Sequence, residues 1–319
     1  MSNLTVAVIG PEGFAGELGK KGTTSDVTFY NLKRGSDTVT CIEASRYPEK
    51  LSSLWYAVGC ADWAVVVVSA ITPQFGETAI MLECAGVHKG MFVLQDPLTA
   101  ESLAPVLRGC ALGSYTVVRD VPLDIRESLL KEAARARDQT GPETGGSVAI
   151  DHSYAVRGIG TVILGTVMAG SIHRHDTLTL LPGKMQAQVR SIQKHDDDFD
   201  SAHKGDRVGI ALKNIDAAGI SRGDVLTVRP GDLQVTSRIE GPTDLVRYWR
   251  QPLKEGMVLH IGHWMQFMPA RVESVEDGPQ GPAISLVLEK PLVHPPGSRC
   301  VLTYLEGGKL RVAGTMRIP

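Results

Sequence analysis

The chain has 319 residues and a mass of 34.3 kDa, which predicts two or three domains. Hydrophobic residues make up 43% and charged residues 21%, a globular composition that excludes a disordered chain. Lys plus Arg (33) and Asp plus Glu (35) nearly balance, so any contact with RNA must be local. The apolar run at 64–68 is too short to span a bilayer, and the first residues lack the basic stretch of a signal peptide. We therefore expect a cytoplasmic monomer with no membrane partner.

Five cysteines are spread along the chain without a Cys-x-x-Cys pair, which favours buried reduced thiols over a metal or redox site. His173 and His175 share a strand face but have no third ligand, so a solvated hairpin turn is the favoured interpretation. The acidic run at 196–198 lacks the glycine and the terminal glutamate of a calcium loop. We expect no metal and no cofactor.

Strand and helix patterns alternate over the first 138 residues. Residues 4–9 are a short apolar run ending in glycine, and residues 63–70 are a β-branched run typical of a strand covered on both faces. Further strands are predicted at 91–95 and 115–119, and helices at 48–61, 78–87, 100–111 and 124–137. This alternation predicts an α/β domain with a mainly parallel sheet.

The pattern changes at residues 138–146, which have no apolar side chain and predict a linker. No long helical period follows it. Short alternating runs recur instead, at 147–152, 160–168, 177–181, 186–193, 206–212 and 224–228, and turn residues separate them. Such runs are typical of small antiparallel barrels, and a second shift near residue 229 predicts another one. The predicted domains are 1–140, 147–228 and 229–319.

Two segments carry a resemblance to a known class. Residues 150–170 read IDHSYAVRGIGTVILGTVMAG, and residues 201–226 read SAHKGDRVGIALKNIDAAGISRGDVL. Both resemble the second domain of translational GTPases of the elongation factor Tu class, over about 80 residues with the elements in order. The resemblance implies a GTPase-like parallel-sheet domain followed by two antiparallel β-barrels.

Within the class, the chain most resembles archaeal SelB, the selenocysteine-specific elongation factor. SelB-type proteins begin this domain with Asp-His and have Arg in the "GDRVG" strand, and the matching residues here are Asp151, His152 and Arg207. The resemblance implies that these three line a pocket for the amino acid esterified to tRNA. His and Arg favour an anionic selenolate over a neutral hydroxyl. The alternative is that Asp151 and Arg207 form a surface ion pair and His152 caps a strand.

The first domain has the element order of a GTPase but departs from its motifs. A phosphate-binding loop needs G-x-x-x-x-G-K-[ST], in which backbone amides and Lys hold the phosphates. Here the first strand is followed by Gly10, Gly13 and Gly16 without a Lys-Ser/Thr pair. Glu12 and Glu17 also bring negative charge toward a polyanion.

Two later motifs of the class are missing as well. Residues 41–48 read CIEASRYP where Asp-x-x-Gly is expected, and Gln95 and Asp96 stand where the guanine-reading Asn-Lys-x-Asp is expected. The resemblance therefore implies a degenerate nucleotide site at Gly10, Gly13, Gly16, Gln95 and Asp96. We expect that GTP hydrolysis is lost.

Basic residues near these segments are candidates for RNA contact. Arg157 and Lys204 flank the predicted pocket in sequence and suit the terminal adenosine and its phosphates. Arg247 and Arg250 interleave with aromatic residues, as in surfaces on which RNA bases stack. SelB proteins carry a further C-terminal domain, and this sequence ends where the third domain should end, which implies a reduced or paralogous form.

The leading hypothesis is a non-hydrolysing elongation-factor-like protein that binds aminoacyl-tRNA or a related RNA through its barrels. A second hypothesis is a regulatory or scaffold protein that binds a translation factor or the ribosome and no free RNA, because a fold does not fix a function. A third is a GTP-binding elongation factor with an atypical phosphate loop.

Overall fold

A seven-stranded mixed sheet forms the first domain in this computed structural model, which describes residues 2–136, 145–278 and 281–319. In chain order its strands are Ser2–Ile9 (β1), Lys20–Thr24 (β2), Thr28–Arg34 (β3), Asp37–Glu43 (β4), Trp63–Val68 (β5), Gly90–Leu94 (β6) and Thr116–Arg119 (β7). Their order in the sheet is β2-β3-β4-β1-β5-β6-β7. The strands from β4 to β7 run parallel, and β2 and β3 extend the sheet antiparallel.

Helices cover both faces of this sheet. They are Leu51–Val58 (α1), Pro73–Ala85 (α2), Ala100–Leu107 (α3) and Pro122–Ala136 (α4). Alternate residues of β1 and β5 point to opposite faces, one packed against α1, α2 and α3 and the other against α4. The continuous apolar run of β5 follows from this double coverage.

The α/β fold class is confirmed, but several predicted bounds were wrong. The second helix begins at Pro73 rather than residue 78, because the Thr72 side chain caps it by accepting a hydrogen bond from the Phe75 amide (3.2 Å). The third helix ends at Leu107 rather than residue 111. Strand β2 escaped prediction because an exposed edge strand reading Lys-Lys-Gly-Thr-Thr has no apolar period.

The second domain, which we take as residues 147–228, is a closed antiparallel barrel. Its strands are Ser147–Val156 (β8), Gly160–Ala169 (β9), Ser171–His173 (β10), Thr177–Leu181 (β11), Met185–Lys194 (β12), Asp197–Phe199 (β13), Ser201–His203 (β14), Arg207–Lys213 (β15) and Val225–Thr227 (β16). Six of them close in the order β11-β16-β8-β9-β15-β12, because β12 also pairs with β11. The predicted linker at 138–146 lies outside the described residues except for its last two glycines.

The third domain, which we take as residues 229–319, is a second closed antiparallel barrel. Its strands are Gln234–Leu245 (β17), Val258–His263 (β18), Gln266–Glu276 (β19), Ala283–His294 (β20), Arg299–Thr303 (β21) and Val312–Arg317 (β22). They close in the order β17-β20-β19-β18-β21-β22. Both barrels that the alternating runs predict are therefore present.

The first and third domains share one continuous core. Val301 and Val312 of the third domain belong to the cluster on the α1 face of the sheet. The Trp55 ring lies so close to Gly262 that a Cβ atom there would be 2.5 Å from it, so only glycine fits. Among the described residues, no helix is long and apolar enough to cross a membrane.

Candidate functional site

Asp151, His152 and Arg207 make direct contact with one another, and we call these three residues the Asp151 group. The Arg207 guanidinium donates to both carboxylate oxygens of Asp151, with Nη2 2.9 Å from Oδ1 and Nη1 bonded to Oδ2. His152 Nδ1 lies 2.5 Å from Asp151 Oδ1. The side chains of Asp151 and Arg207 are only 2% and 11% exposed, so the ion pair is buried and not the surface pair of the alternative interpretation.

A β-bulge in β8 brings the side chains of Asp151 and His152 to the same side of the strand. In the pairing of β8 with β9, Ile150 lies opposite Gly165 and His152 lies opposite Leu164, so Asp151 is an extra residue without a partner. A bulge of this kind turns a side chain that would otherwise point to the opposite face of the strand. Arg207 is the first residue of β15, which pairs with the other side of β9. Without the bulge, the alternation of side chains along β8 would put Asp151 and His152 on opposite faces of the strand.

The first domain covers the Asp151 group. The Phe29 ring of β3 lies under the Arg207 guanidinium, with 4.1 Å between the ring centroid and Cζ, and meets the His152 ring edge-on at 6.0 Å. Tyr154 lies parallel to the other face of His152, at 5.9 Å between centroids. His152 Nε2 is buried and has no hydrogen-bond partner among the described residues. Among the described residues, the seam between the first two domains thus holds two buried nitrogens without a partner, His152 Nε2 and, against Asn3, His195 Nδ1.

Arg222 is a second link across the same seam, although its sequence pattern predicts only a turn. Its Nη2 donates to Ser25 Oγ (2.7 Å), its Nη1 approaches Asp26 Oδ2 (3.4 Å), and its Nε donates to the Asp151 carbonyl (3.2 Å). Its guanidinium also lies over the Tyr56 ring, 4.8 Å from the centroid. The signal that could have found it is the Arg-Gly pair of the resembling "RGDVL" strand.

The proposed RNA-contacting residues of the second domain lie apart from one another. Arg157 is exposed in the turn between β8 and β9. Lys204 is exposed in the turn between β14 and β15. Burial raises the pKa of Asp62 in the first domain, and the positive charge of Lys204 partly offsets this rise. Neither residue makes a hydrogen bond or ion pair with the Asp151 group.

The third-domain candidates lie in the loop after β17. Arg247 stacks on Tyr248, with 4.5 Å from Cζ to the ring centroid, and its Nη2 donates to the Arg108 carbonyl (3.2 Å) at the end of α3. Arg250, three residues after Arg247, is exposed. These two residues face the first domain and solvent and do not join the Asp151 group.

The loop after β1 closes on itself. A single 3-10 turn, Phe14–Glu17, follows the loop and leads directly into β2, where a phosphate-binding fold has a long helix. The amides of Phe14 and Gly16 donate to the carbonyls of Pro11 (3.2 Å) and Gly13 (2.9 Å). Gly13 has φ of 88°, a left-handed conformation that glycine adopts without strain.

A buried carboxylate takes a further amide of this loop. The Ala15 amide donates to Glu43 Oε1 (3.0 Å), and the Tyr30 hydroxyl donates to Glu43 Oε2 (3.4 Å). Glu43 is only 3% exposed, and burial together with this carboxylate raises the pKa of Tyr30. Glu43 therefore places negative charge beside the amides that a phosphate would need.

Gln95 and Asp96 follow β6 at the same edge of the sheet. The Gln95 side-chain amide donates to Asp120 Oδ2 (2.8 Å) at the end of β7, and Asp96 is exposed. Gly10, Gly13 and Gly16 are exposed at the neighbouring end of β1. The five residues thus share one edge of the parallel sheet, as parallel strand ends do.

Comparison with known proteins agrees with this architecture. Residues 160–227 match the family described as elongation factor Tu domain 2. The crystal structure of apo translation elongation factor SelB from Methanococcus maripaludis has a TM-score of 0.82 to this chain at 22% identity, covering 100% of this chain and 79% of that one. The chain therefore has the fold of SelB, and its second domain matches the second domain of elongation factor Tu.

Two proteins of Methanocaldococcus jannaschii are similar to this chain in sequence. The chain is 34% identical over 320 residues to its uncharacterized protein MJ0325, with both chains covered in full, and it belongs to the same family as that protein. It is also 31% identical over 133 residues to that organism's selenocysteine-specific elongation factor, covering 40% of this chain and 28% of that protein. The chain is therefore a homologue of SelB.

Proposed function

We propose that this SelB homologue binds aminoacyl-tRNA or a related RNA through its β-barrels and neither binds nor hydrolyses GTP. The observation that carries the proposal is the buried Asp151 group with its unpartnered His152 Nε2. A buried polar atom without a partner costs free energy unless a ligand satisfies it. Arg157, Lys204, Arg247 and Arg250 then supply peripheral contacts to RNA phosphates and bases.

The chemistry of the group suits an acidic amino-acid side chain. Because a carboxylate only accepts hydrogen bonds, His152 Nδ1 donates to Asp151, and in its neutral form the imidazole presents a lone pair at Nε2. This lone pair accepts a hydrogen bond from a selenol or from the hydroxyl of a singly protonated phosphate monoester, or takes its proton. The resulting anion is then stabilised by the imidazolium, because Asp151 already compensates the charge of Arg207 and the three residues together carry one positive charge.

Access to the group requires a movement. Phe29 covers the guanidinium of Arg207, and Arg222 fastens the second domain to the turn at Ser25 and Asp26. An aminoacyl group therefore enters only when β3 and the second domain separate slightly. We expect a slow association step for charged RNA that uncharged RNA lacks.

The contacts of the first domain support the loss of GTP binding. The amides of the loop after β1 are bonded to its own carbonyls and to Glu43, and no long helix follows to provide a positive N-terminus. Gln95 is bonded to Asp120 at the position where the class reads guanine. Each of these arrangements removes one source of nucleotide affinity.

Binding to aminoacylated and uncharged tRNA, measured by mobility shift at a stated salt concentration, tests the proposal. We expect binding of both species and a preference for RNA charged with selenocysteine or a phosphoserine-like anion. His152→Ala should reduce the preference about tenfold to a hundredfold, the range expected for one charge-assisted hydrogen bond. Arg238→Ala is the control, because Arg238 pairs with Glu273 in the third domain at 61% exposure.

Two outcomes would overturn the proposal. If neither tRNA species binds at micromolar protein concentration, the scaffold hypothesis, with a translation factor or the ribosome as partner, replaces it. If titration calorimetry with GTP and Mg²⁺ shows micromolar binding, the chain is a GTP-binding factor with an atypical phosphate loop.

A further inference from the structure

A cleft of about 630 Å³ lies between the first and second domains, and its lining begins where the turn after β1 ends and includes no residue of the Asp151 group. One wall is the exposed edge strand β2 with its neighbour β3, and the other is the turn between β12 and β13. The cationic side chains that line it are Lys20, Lys21, Lys33 and Arg126. Asp196 is the one carboxylate among the lining residues, and we call this feature the basic cleft.

Most of this positive charge is not neutralised within the protein. Lys20 and Lys21 form no ion pair with any described residue, and both are exposed. Arg126 donates its Nε to the Glu17 carbonyl (2.6 Å), a neutral acceptor that leaves its charge uncompensated. Lys33 alone is paired, with Asp197 of the turn. In a chain with a net charge of −2, such a local excess marks an anion site.

The second-domain wall of the basic cleft is held in an unusual backbone conformation. His195 and Asp196 form the turn between β12 and β13, with φ of 48° and 69°, although neither is glycine. Such a conformation is strained and persists where the surroundings impose it. The surroundings here are Asn3 of β1, whose Oδ1 lies 3.2 Å from His195 Nε2. The turn is thus fixed against the first domain, so the cleft is preformed.

Strand β2 connects the basic cleft to the Asp151 group. Thr23 of β2 approaches the hydroxyl of Tyr154, whose ring lies parallel to His152. Lys20 is three residues back along the same strand, about 10 Å away at 3.3 Å per residue. An RNA strand whose end lies at the Asp151 group therefore reaches the cleft by running along β2.

We propose that the basic cleft binds phosphate groups, and that their source is the backbone of the RNA whose end occupies the Asp151 group. This source rests on the proposed function, whereas the phosphate chemistry of the cleft does not. A free phosphorylated small molecule is the other source of the same chemistry. Lys20 and Lys21 provide the charge, and Arg126 provides the planar donors that suit phosphate oxygens.

The experiment compares two double variants of equal charge. Lys20→Ala/Lys21→Ala removes the exposed charges of the cleft, and Lys290→Ala/Lys309→Ala removes two exposed charges from the third domain. Binding of uncharged tRNA is measured between 50 and 200 mM salt, and binding of inorganic pyrophosphate is measured by calorimetry. Thermal melts establish that both variants fold.

For RNA as the source, the cleft variant should bind tRNA about tenfold more weakly than the wild type, and its log–log salt slope should be lower by about 1.4, from two lost contacts at 0.7 each. The control variant should shift much less. If instead pyrophosphate binding is lost in the cleft variant and tRNA binding is unchanged, the source is a small phosphorylated ligand.

Failure of the cleft and failure of the proposed function give different results. If tRNA binds the wild type and both variants equally, and pyrophosphate binds none, the basic cleft is not a phosphate site and the proposed function stands. If tRNA does not bind the wild type but pyrophosphate binds it and not the cleft variant, the proposed function fails and the cleft stands. If neither ligand binds the wild type, both are overturned.

Discussion

The loop after β1 belongs to the first domain and the Asp151 group to the second. The two use their polar atoms in opposite ways. In the loop, the amides of Phe14, Ala15 and Gly16 all have acceptors within the protein. In the Asp151 group, a buried histidine nitrogen has no acceptor or donor among the described residues. A site that has lost its ligand is expected to satisfy its own polar atoms, and a site that retains one is expected to keep an atom unpaired. The comparison therefore favours binding at the seam between the first two domains over binding at the loop after β1.

The largest effect that tests this comparison is expected at Arg207. Arg207→Ala leaves the buried Asp151 carboxylate without its guanidinium, so the free energy of unfolding should fall by about 3–5 kcal/mol. Urea unfolding followed by circular dichroism measures it. The matched control Arg238→Ala removes an exposed pair and should cost about 1 kcal/mol or less. Equal losses for the two variants would mean that the seam is not a buried polar site.

Acid should weaken the protein through histidines that the fold keeps neutral. Burial lowers the pKa of His263 from 6.5 to about 4, so the unfolded chain takes up a proton near pH 6.5 that the folded chain refuses until about pH 4. Stability is therefore lost as the pH falls through this window, by about 3 kcal/mol for His263. The pKa of His195 is also lowered to about 4, mainly by burial, and adds to the same trend.

Denaturation curves at several pH values check the acid effect. His263→Gln should flatten the dependence between pH 6.5 and 4, because the third-domain contribution disappears. An unchanged slope in this variant would show that His263 is not the group that titrates. His195→Gln serves as the comparison in the second domain, because the pKa of His195 is also lowered to about 4.

A smaller effect on stability is expected at Glu43, which bonds to the loop after β1. Glu43→Gln keeps an acceptor for the Ala15 amide but removes the charge and one acceptor for the Tyr30 hydroxyl. Thermal unfolding should show a loss of about 1.5–3 kcal/mol, the usual contribution of a hydrogen bond to a charged group. A gain in stability would instead indicate that the buried carboxylate is retained for a ligand.

The smallest expected effect is that of GTP. A nucleotide present at a hundredfold excess over its dissociation constant would stabilise the folded state by about 2.7 kcal/mol. We expect no shift of the melting temperature with GTP and Mg²⁺, either in the wild type or in Glu43→Gln, because no helix N-terminus replaces the lost charge. A shift in Glu43→Gln alone would mean that this one carboxylate excludes the nucleotide.

Much of the fold was predictable because its signals are local. The buried strand β5 and the short alternating runs of both barrels follow from side-chain periodicity, which burial on one or two faces imposes. Strands β2 and β3 were missed, and helix α2 was placed five residues late. The exposed edge strand β2 and the Thr-Pro cap of α2 carry little apolar pattern, whereas β3 lies between β2 and β4 and its first three residues are buried.

The residues of the Asp151 group were predicted from a resemblance, but their arrangement was not. The sequence by itself determined which side chains are present, the order of the α/β domain and the two barrels, and the missing lysine after Gly16. Only the tertiary structure decided that a bulge at Asp151 turns it toward Arg207, that Phe29 covers them, and that Glu43 occupies the amides of the loop. The physical reason is the sequence separation over which each effect acts. Periodicity and turn chemistry act between residues that are close in sequence. Burial and hydrogen-bond satisfaction are settled between residues that are distant in the chain and meet only after folding.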